Sequence, residues 1–82
     1  MVTPEEVRKY IEQGLLCEHI ELAGDGQHFQ ALIVSTEFQG KNRVQRHQRV
    51  YQALGERMRE EVHALSMQTL TPEEWRARPP EE

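Results

Sequence analysis

Apolar residues recur at helical spacing in the first fifteen positions of the chain. The recurring positions are Val7, Ile11 and Leu15. This spacing places their side chains on one face of a helix. The residues ahead of them supply an N-cap, a favoured first helical residue and a capping-box partner, and these are Thr3, Pro4 and Glu6. Because Gly14 suits a helix end, the pattern predicts a helix over residues 4–13.

From residue 17 the pattern changes to the alternation typical of strands. Ile20 and Leu22 alternate with polar residues, and the turn sequence GDG at 24–26 separates them from a second apolar run. That run is apolar on both strand faces, with Phe29, Ala31 and Ile33 on one face and Leu32 and Val34 on the other. A strand of this kind is expected in the centre of a sheet or under partial cover. The sequence therefore predicts a hairpin with a central second strand.

The next segment predicts a helix with one apolar stripe. Asn42 suits the N-cap, with Gln45 as its capping-box partner. The stripe steps by three and four residues through Val44, His47, Tyr51, Leu54 and Met58, and Val50 widens it. We expect this stripe to face the core. Three arginines fall off the stripe and are expected on the solvent side: Arg43, Arg46 and Arg49. Gly55 is expected to break the helix or to join two shorter ones.

The remaining pattern completes an α+β layer. Alternation over residues 62–69 predicts a third strand, and a second cap signature then starts a short helix anchored by Trp75. The order helix, strand, strand, helix, strand, helix predicts a three-stranded sheet with helices on one side. Residues 1–78 are predicted to form a single domain, and residues 79–82 a frayed tail.

Composition limits the class of protein. The chain has 82 residues, of which 37% are hydrophobic, so only a small core is expected. The one cysteine, Cys17, cannot form an internal disulfide, which favours a reducing compartment. No apolar run approaches the ~20 residues of a membrane span, and the N-terminal residues lack the apolar stretch of a signal peptide. We expect a cytoplasmic protein without a membrane partner.

Charge is distributed unevenly along the chain. The net charge is −4, yet residues 38–59 contain six basic residues and one acid, which gives +5 and leaves −9 for the remainder. Non-specific DNA-binding proteins are usually basic overall, because phosphate neutralisation dominates their affinity. The basic residues are therefore open to three interpretations: a solvated helix face, a phosphate-binding surface, or a docking surface for an acidic protein. The residues concerned are Lys41, Arg43, Arg46 and Arg49.

The histidines and the cysteine do not show a zinc-ligand spacing. His47 is expected to be partly buried and hydrogen-bonded, His19 to be solvated, and Cys17 to begin a strand as a small core residue. His28, after the turn, and His63, at the start of the third strand, are expected to be exposed imidazoles of the kind that bind iron. No phosphate loop, dinucleotide fingerprint or nucleophile elbow occurs. We therefore expect no catalytic residues and no enzyme.

Longer stretches of the chain resemble the BolA-like family, and its IbaG-type branch in particular. They are DGQHF, IVSTEFQGKNRVQRHQRVYQAL and VHALSMQTLTPEEW, which extend the likeness over nearly the whole chain. The resemblance implies a fold similar to class II KH domains, with a mixed three-stranded sheet. It also implies an adaptor in iron–sulfur cluster assembly, trafficking and iron homeostasis. Its partner would be a monothiol CGFS glutaredoxin, and a 2Fe–2S cluster would be shared with that protein and glutathione.

The resemblance also implies a ligand set. The histidine of the family's HAL segment is His63 here, while the second ligand is a Cys or His on the loop between the first two strands. That loop contains neither residue, because Asp25 stands about where the ligand would fall. His28 is then the candidate second ligand, followed by Cys17. Alone, the chain is expected to bind no cluster and to be a monomer or a weak homodimer.

Nucleic acid is the alternative partner that the resemblance implies. Some family members are described as DNA-binding regulators, and KH domains clamp the nucleic-acid backbone with a GXXG loop. The corresponding turn here, residues 40–43, lacks the second glycine. DNA binding would therefore depend on the basic residues rather than on base recognition.

Overall fold

A computed structural model describes residues 3–25, 27–58 and 65–78 of the chain. It contains three helices, three strands and two short 3₁₀ turns within those residues. In chain order they are α1 (Pro4–Gly14), β1 (His19–Gly24), β2 (Phe29–Val34), a 3₁₀ turn (Thr36–Phe38), α2 (Arg43–Leu54), a 3₁₀ turn (Gly55–Met58), β3 (Leu65–Leu70) and α3 (Pro72–Ala77). This order confirms the predicted one. Of the third strand predicted over 62–69, residues 62–64 lie outside the described part of the chain.

All three helices begin at the cap residues that the sequence predicts. Thr3, Asn42 and Thr71 each accept a hydrogen bond from the backbone three residues later, and each capping box is complete. These reciprocal bonds pair backbone N–H groups that the first turn of a helix otherwise leaves unpaired. At the other end of α2, Gly55 has a φ of 59°, a conformation that favours glycine and ends the helix.

The sheet is mixed, with strand order β1-β2-β3. β1 pairs antiparallel with β2, so that Ile20 lies opposite Ile33 and Gly24 opposite Phe29. β2 pairs parallel with β3, so that Phe29 lies opposite Leu65. The prediction of a central β2 is therefore confirmed.

The core lies between one face of the sheet and helices α1 and α2. Its buried side chains are Val7, Ile11, Leu15, Ile20, Phe29, Ala31, Ile33, Phe38, Val50, Leu54, Leu65 and Met67. α1 and α2 meet closely at Gly14, where an added Cβ would lie 2.8 Å from the Cα of Ala53. The short α3 lies at one end of the sheet, where its Trp75 stacks on His19 with ring centroids 4.6 Å apart.

The predicted inner stripe of α2 is partly wrong. Val50 and Leu54 are buried, but Val44 is 65% exposed and Tyr51 38% exposed. The side chain of Met58 lies outside the described part of the chain. The buried face of α2 is centred on Val50, and on either side of it Arg46 and Arg49 turn inward and bond to backbone carbonyl oxygens. An arginine can line a core in this way when its alkyl stem packs and its head group finds partners.

Candidate functional site

The turn between β1 and β2 is built around the carboxylate of Asp25. Its Oδ1 accepts hydrogen bonds from the backbone N–H groups of Gln27 and His28, both at 2.9 Å. These bonds, that from His28 first, hold the pKa of Asp25 below its usual range. The Asp25 carboxylate therefore stabilises the turn.

His28 is exposed at the end of this turn, as the sequence predicts. Its backbone position is closely constrained, because a Cβ on Gly24 would lie 2.6 Å from the carbonyl oxygen of His28. His28 directly precedes Phe29, which pairs with Leu65 at the start of β3. His63 lies outside the described residues, but only two residues before Leu65 in the chain. Two residues span at most about 7 Å.

Cys17 lies far from the turn and outside the strand that it was predicted to begin. β1 starts at His19 and ends at Gly24, so about 17 Å of strand separates the two ends. The Cys17 thiol donates to the carbonyl oxygen of Leu15 at 3.4 Å. Burial, with Glu12 and Glu37 nearby, raises its pKa to about 11. The protonated thiol is therefore a poor metal ligand at neutral pH.

Two of the predicted surface arginines are held by internal contacts, so the prediction that they face solvent is wrong. The side chain of Arg46 is only 14% exposed and forms an ion pair with Glu74 at 2.7 Å. The same side chain donates to the carbonyl oxygens of Thr69 at 3.0 Å and Lys41 at 2.9 Å. It ties the start of α2 to the end of β3 and to α3.

Arg49 makes the equivalent link to α1. Its side chain is 24% exposed and donates to Glu37 at 2.8 Å and to the carbonyl oxygen of Gly14 at 2.9 Å. Lys41 is half-buried and donates to the backbone carbonyl of Glu37 at 2.8 Å. Of the four basic residues singled out, Arg43 alone is exposed without a hydrogen bond or ion pair in the described part of the chain.

Glu37 bonds to Arg49, Lys41 and Leu16. The sequence did not predict this role for Glu37. Its carboxylate accepts the backbone N–H of Leu16 at 2.8 Å as well as the Arg49 guanidinium. The bond from Leu16, and then that from Arg49, hold the pKa of Glu37 below its usual range. No helix or strand periodicity relates Glu37 to Arg49, twelve positions later. The one sequence feature that could have predicted the pairing of Glu37 with Arg49 is that Glu37 directly precedes the basic segment of residues 38–59.

We expect Glu37→Gln to be less stable than the parent at pH 7 and to lose less stability in acid. Because the folded-state pKa is lowered from an ordinary value of 4.5, ionised Glu37 stabilises the fold above that pH. The contribution disappears as the pH falls below 4.5 and through the folded-state pKa. Urea unfolding between pH 3 and pH 7 measures the difference, with the exposed-acid variant Glu5→Gln as control. Parallel stability curves for parent and Glu37→Gln would contradict the assignment.

The other two histidines, His19 and His47, each pack against other parts of the fold. His19, predicted to be solvated, is 39% exposed, and it also pairs with Glu21 at 2.7 Å and stacks on Trp75. His47 is partly buried, as predicted, but its Nε2 has no hydrogen-bond partner in the described part of the chain. Burial, and then the charge of Arg43, lower the pKa of His47 from 6.5, so this imidazole is neutral at pH 7.

Across residues 3–25, 27–58 and 65–78, the structure brings no three His, Cys, Asp or Glu side chains into a metal-binding group. A groove of about 850 Å³ runs between α2, β3 and α3, and its mixed lining includes Lys41, Arg43, Arg46 and the acid Glu74. The helices in those same residues are all too short or too polar to cross a membrane. Of the predicted residues that the structure describes, His28 lies at the β1–β2 turn, and the four basic residues lie on α2 or just before it.

Comparison with known proteins identifies one matching family, together with similar sequences and similar solved structures. The profile of the family described as "BolA-like protein" matches residues 11–74. The DNA-binding transcriptional regulator BolA of Haemophilus influenzae is 46% identical over 59 residues, which cover 72% of this chain and 57% of that protein. The acid stress protein IbaG of Escherichia coli is 35% identical over 71 residues, covering 85% of this chain and 84% of that one.

Solved structures show the same fold. A bolA protein homologue from Coxiella burnetii superposes with a TM-score of 0.78 at 40% identity, covering 93% of this chain and 99% of that one. A bol-like protein from Babesia bovis gives a TM-score of 0.81 at 31% identity, with 94% and 93% coverage. Some sequence relatives are longer, since the chain spans 57% of the Haemophilus influenzae protein and 61% of mouse BolA-like protein 1.

Proposed function

The chain belongs to the BolA-like protein family, and on that premise we propose that it is a non-enzymatic adaptor in iron–sulfur cluster assembly, trafficking and iron homeostasis. It would hold a 2Fe–2S cluster jointly with a monothiol CGFS glutaredoxin. The observation that supports this most directly is the pairing of Phe29 with Leu65. This pairing brings the segment that carries His28 next to the strand that follows His63.

His63 and His28 are the residues of this chain that would hold the cluster. His28 fits the role because it is exposed, and the hydrogen bonds of Asp25 set its backbone position. A 2Fe–2S cluster takes four protein or thiol ligands, so the glutaredoxin cysteine and glutathione would supply the other two. The bound cluster, with imidazole in place of thiolate, would have a raised potential and a ligation sensitive to protonation.

Anaerobic reconstitution with a monothiol glutaredoxin, iron, sulfide and glutathione tests this proposal. We expect a coloured complex of the two proteins, with a changed visible spectrum and faster cluster loss in His63→Ala and, to a smaller degree, in His28→Ala. His19→Ala is the matched control, because His19 lies at the opposite end of β1 and should leave the spectrum unchanged. Spectra and cluster lifetimes identical to the parent in both His63→Ala and His28→Ala would refute the ligand assignment.

DNA binding is a second candidate function, favoured by the name of the Haemophilus influenzae relative. In this chain Arg43 is the arginine best placed for a phosphate, since it is exposed at the first position of α2. Duplex DNA titrated at several salt concentrations tests the candidate. Each lost phosphate contact lowers the log–log salt slope by about 0.9, so Arg43→Gln should lower it by about that amount. An unchanged slope and affinity would exclude a phosphate contact by Arg43.

A further inference from the structure

The outward face of α2 carries an apolar stripe that the fold does not use. Of the large hydrophobic side chains in the described residues, those of Leu16, Val44 and Tyr51 are exposed. Val44 and Tyr51 are seven residues apart on α2, which is two helical turns or about 10.5 Å. Both lie on the same face, with the exposed Gln48 and the partly buried His47 between them. We call these four residues the α2 outer stripe.

The α2 outer stripe is neutral at its centre and bordered by positive charge. His47 is uncharged at pH 7, because burial and Arg43 lower its pKa. Gln48 is exposed and polar. Arg43 stands exposed beside Val44, and α2 contains no acidic residue. A solvated helix surface usually carries charges of both signs in pairs one turn apart, and this surface does not.

From this exposure and this charge distribution we infer that the α2 outer stripe is a docking surface for an amphipathic helix of another protein. Acidic residues would flank the apolar face of that helix. A ridge of residues at i, i+3, i+4 and i+7 is the shape that packs against a second helix. The acidic residues beside the apolar face of the partner helix would attract Arg43, and α2 has no carboxylate that would repel them. A two-turn contact is small, so the complex is expected to be weak and to exchange rapidly.

A second copy of this chain fits the stripe less well. Two α2 helices packed together would oppose arginines without any acid of α2 to offset them. The acidic α1 offers no apolar ridge to the outside, since Val7 and Ile11 are buried in the core.

The docking surface is distinct from the proposed cluster site. α2 begins beyond the end of β2, whereas His28 lies at the beginning of β2. Arg46, two residues after Val44, bonds to the carbonyl oxygen of Thr69 near the end of β3, so the start of α2 lies at the opposite end of the sheet from the β1–β2 turn. For this reason the docking of a helix and the binding of a cluster can each fail without the other.

NMR titration of the full ¹⁵N-labelled chain tests the inference. The probe is an acetylated 18-residue peptide with leucine at i, i+3, i+4 and i+7 and glutamate on both flanks. The control peptide has lysine in place of each glutamate. We expect the glutamate peptide to shift the amide signals of the α2 outer stripe, and added salt to weaken its binding. Val44→Gln with Tyr51→Gln should weaken binding at least about tenfold, since two apolar contacts are lost.

Two single variants serve as controls for the peptide-binding measurement. Leu16→Gln removes an apolar side chain outside α2 that is at least as exposed as those of Val44 and Tyr51, and it should leave binding unchanged. Arg43→Gln should weaken binding and reduce its salt dependence. Equal binding of the lysine peptide, or equal loss in Leu16→Gln, would overturn the inference. Amide shifts on the stripe that grow with protein concentration in the absence of peptide would also overturn it, in favour of a second copy.

Discussion

We expect the replacement of Arg46 and Arg49 together with alanine to lower the free energy of unfolding by about 2–5 kcal/mol, because four acceptors, two of them partly buried, lose their charged donors. Arg46→Ala removes the guanidinium donor from the carbonyl oxygen of Thr69 and from Glu74, which keeps its bond to the Thr71 N–H. Arg49→Ala does the same to Glu37 and the carbonyl oxygen of Gly14. Urea unfolding followed by circular dichroism measures the loss.

Arg43→Ala is the matched control on the same helix. Its side chain is exposed and should change stability by no more than about 0.5 kcal/mol. Similar losses in Arg43→Ala and in the double variant would contradict the contacts described for Arg46 and Arg49. The comparison also affects the DNA candidate, since weaker DNA binding by the double variant could follow from partial unfolding alone. Arg43 substitutions avoid that ambiguity.

Phe29→Ala should lower the free energy of unfolding by about 3–5 kcal/mol, the usual range for removing a buried phenylalanine. Phe29 is 1% exposed on the central strand, and it pairs with Gly24 on one side and Leu65 on the other. The loss is a large fraction of the roughly 5–15 kcal/mol that stabilises most domains. Thermal unfolding monitored by circular dichroism gives the measurement.

Val44→Ala serves as the control for lost apolar volume. Val44 is 65% exposed, so its truncation should cost far less than that of Phe29. If Phe29→Ala unfolded at the temperature of the parent, the core assignment of β2 would be wrong. If Phe29→Leu is as stable as the parent while Phe29→Ala is destabilised, the loss of stability comes from the cavity that alanine leaves.

The histidine candidates show how far one sequence can lead. His28 was predicted to be exposed after the turn, and it is. The resemblance to the BolA-like family designated His63, which lies outside the described residues and stays a prediction. Sequence alone could not relate their two segments, because the strand that follows His28 and the strand that follows His63 could be paired in several orders and registers. The pairing of Phe29 with Leu65 supplies that relation.

The basic segment shows the opposite case. Its arginine spacing predicted a solvent-facing row, yet Arg46 and Arg49 turn inward while Val44 and Tyr51 remain outside. A hydropathy pattern treats arginine as a surface residue and valine as a core residue. It cannot register a backbone carbonyl of β3 or α1 that reaches an arginine from a distant part of the chain.

Local signals in the sequence therefore determined where helices and strands begin, since caps, turns and periodicity act between residues a few positions apart. They also determined the family, because its motifs are stretches of consecutive residues. Tertiary structure decided which face of α2 is buried, which arginines are paired and which end of the sheet His28 occupies. Those outcomes depend on contacts between residues 12 to 35 positions apart, such as Arg49 with Glu37 and Gly14, and no local pattern encodes them.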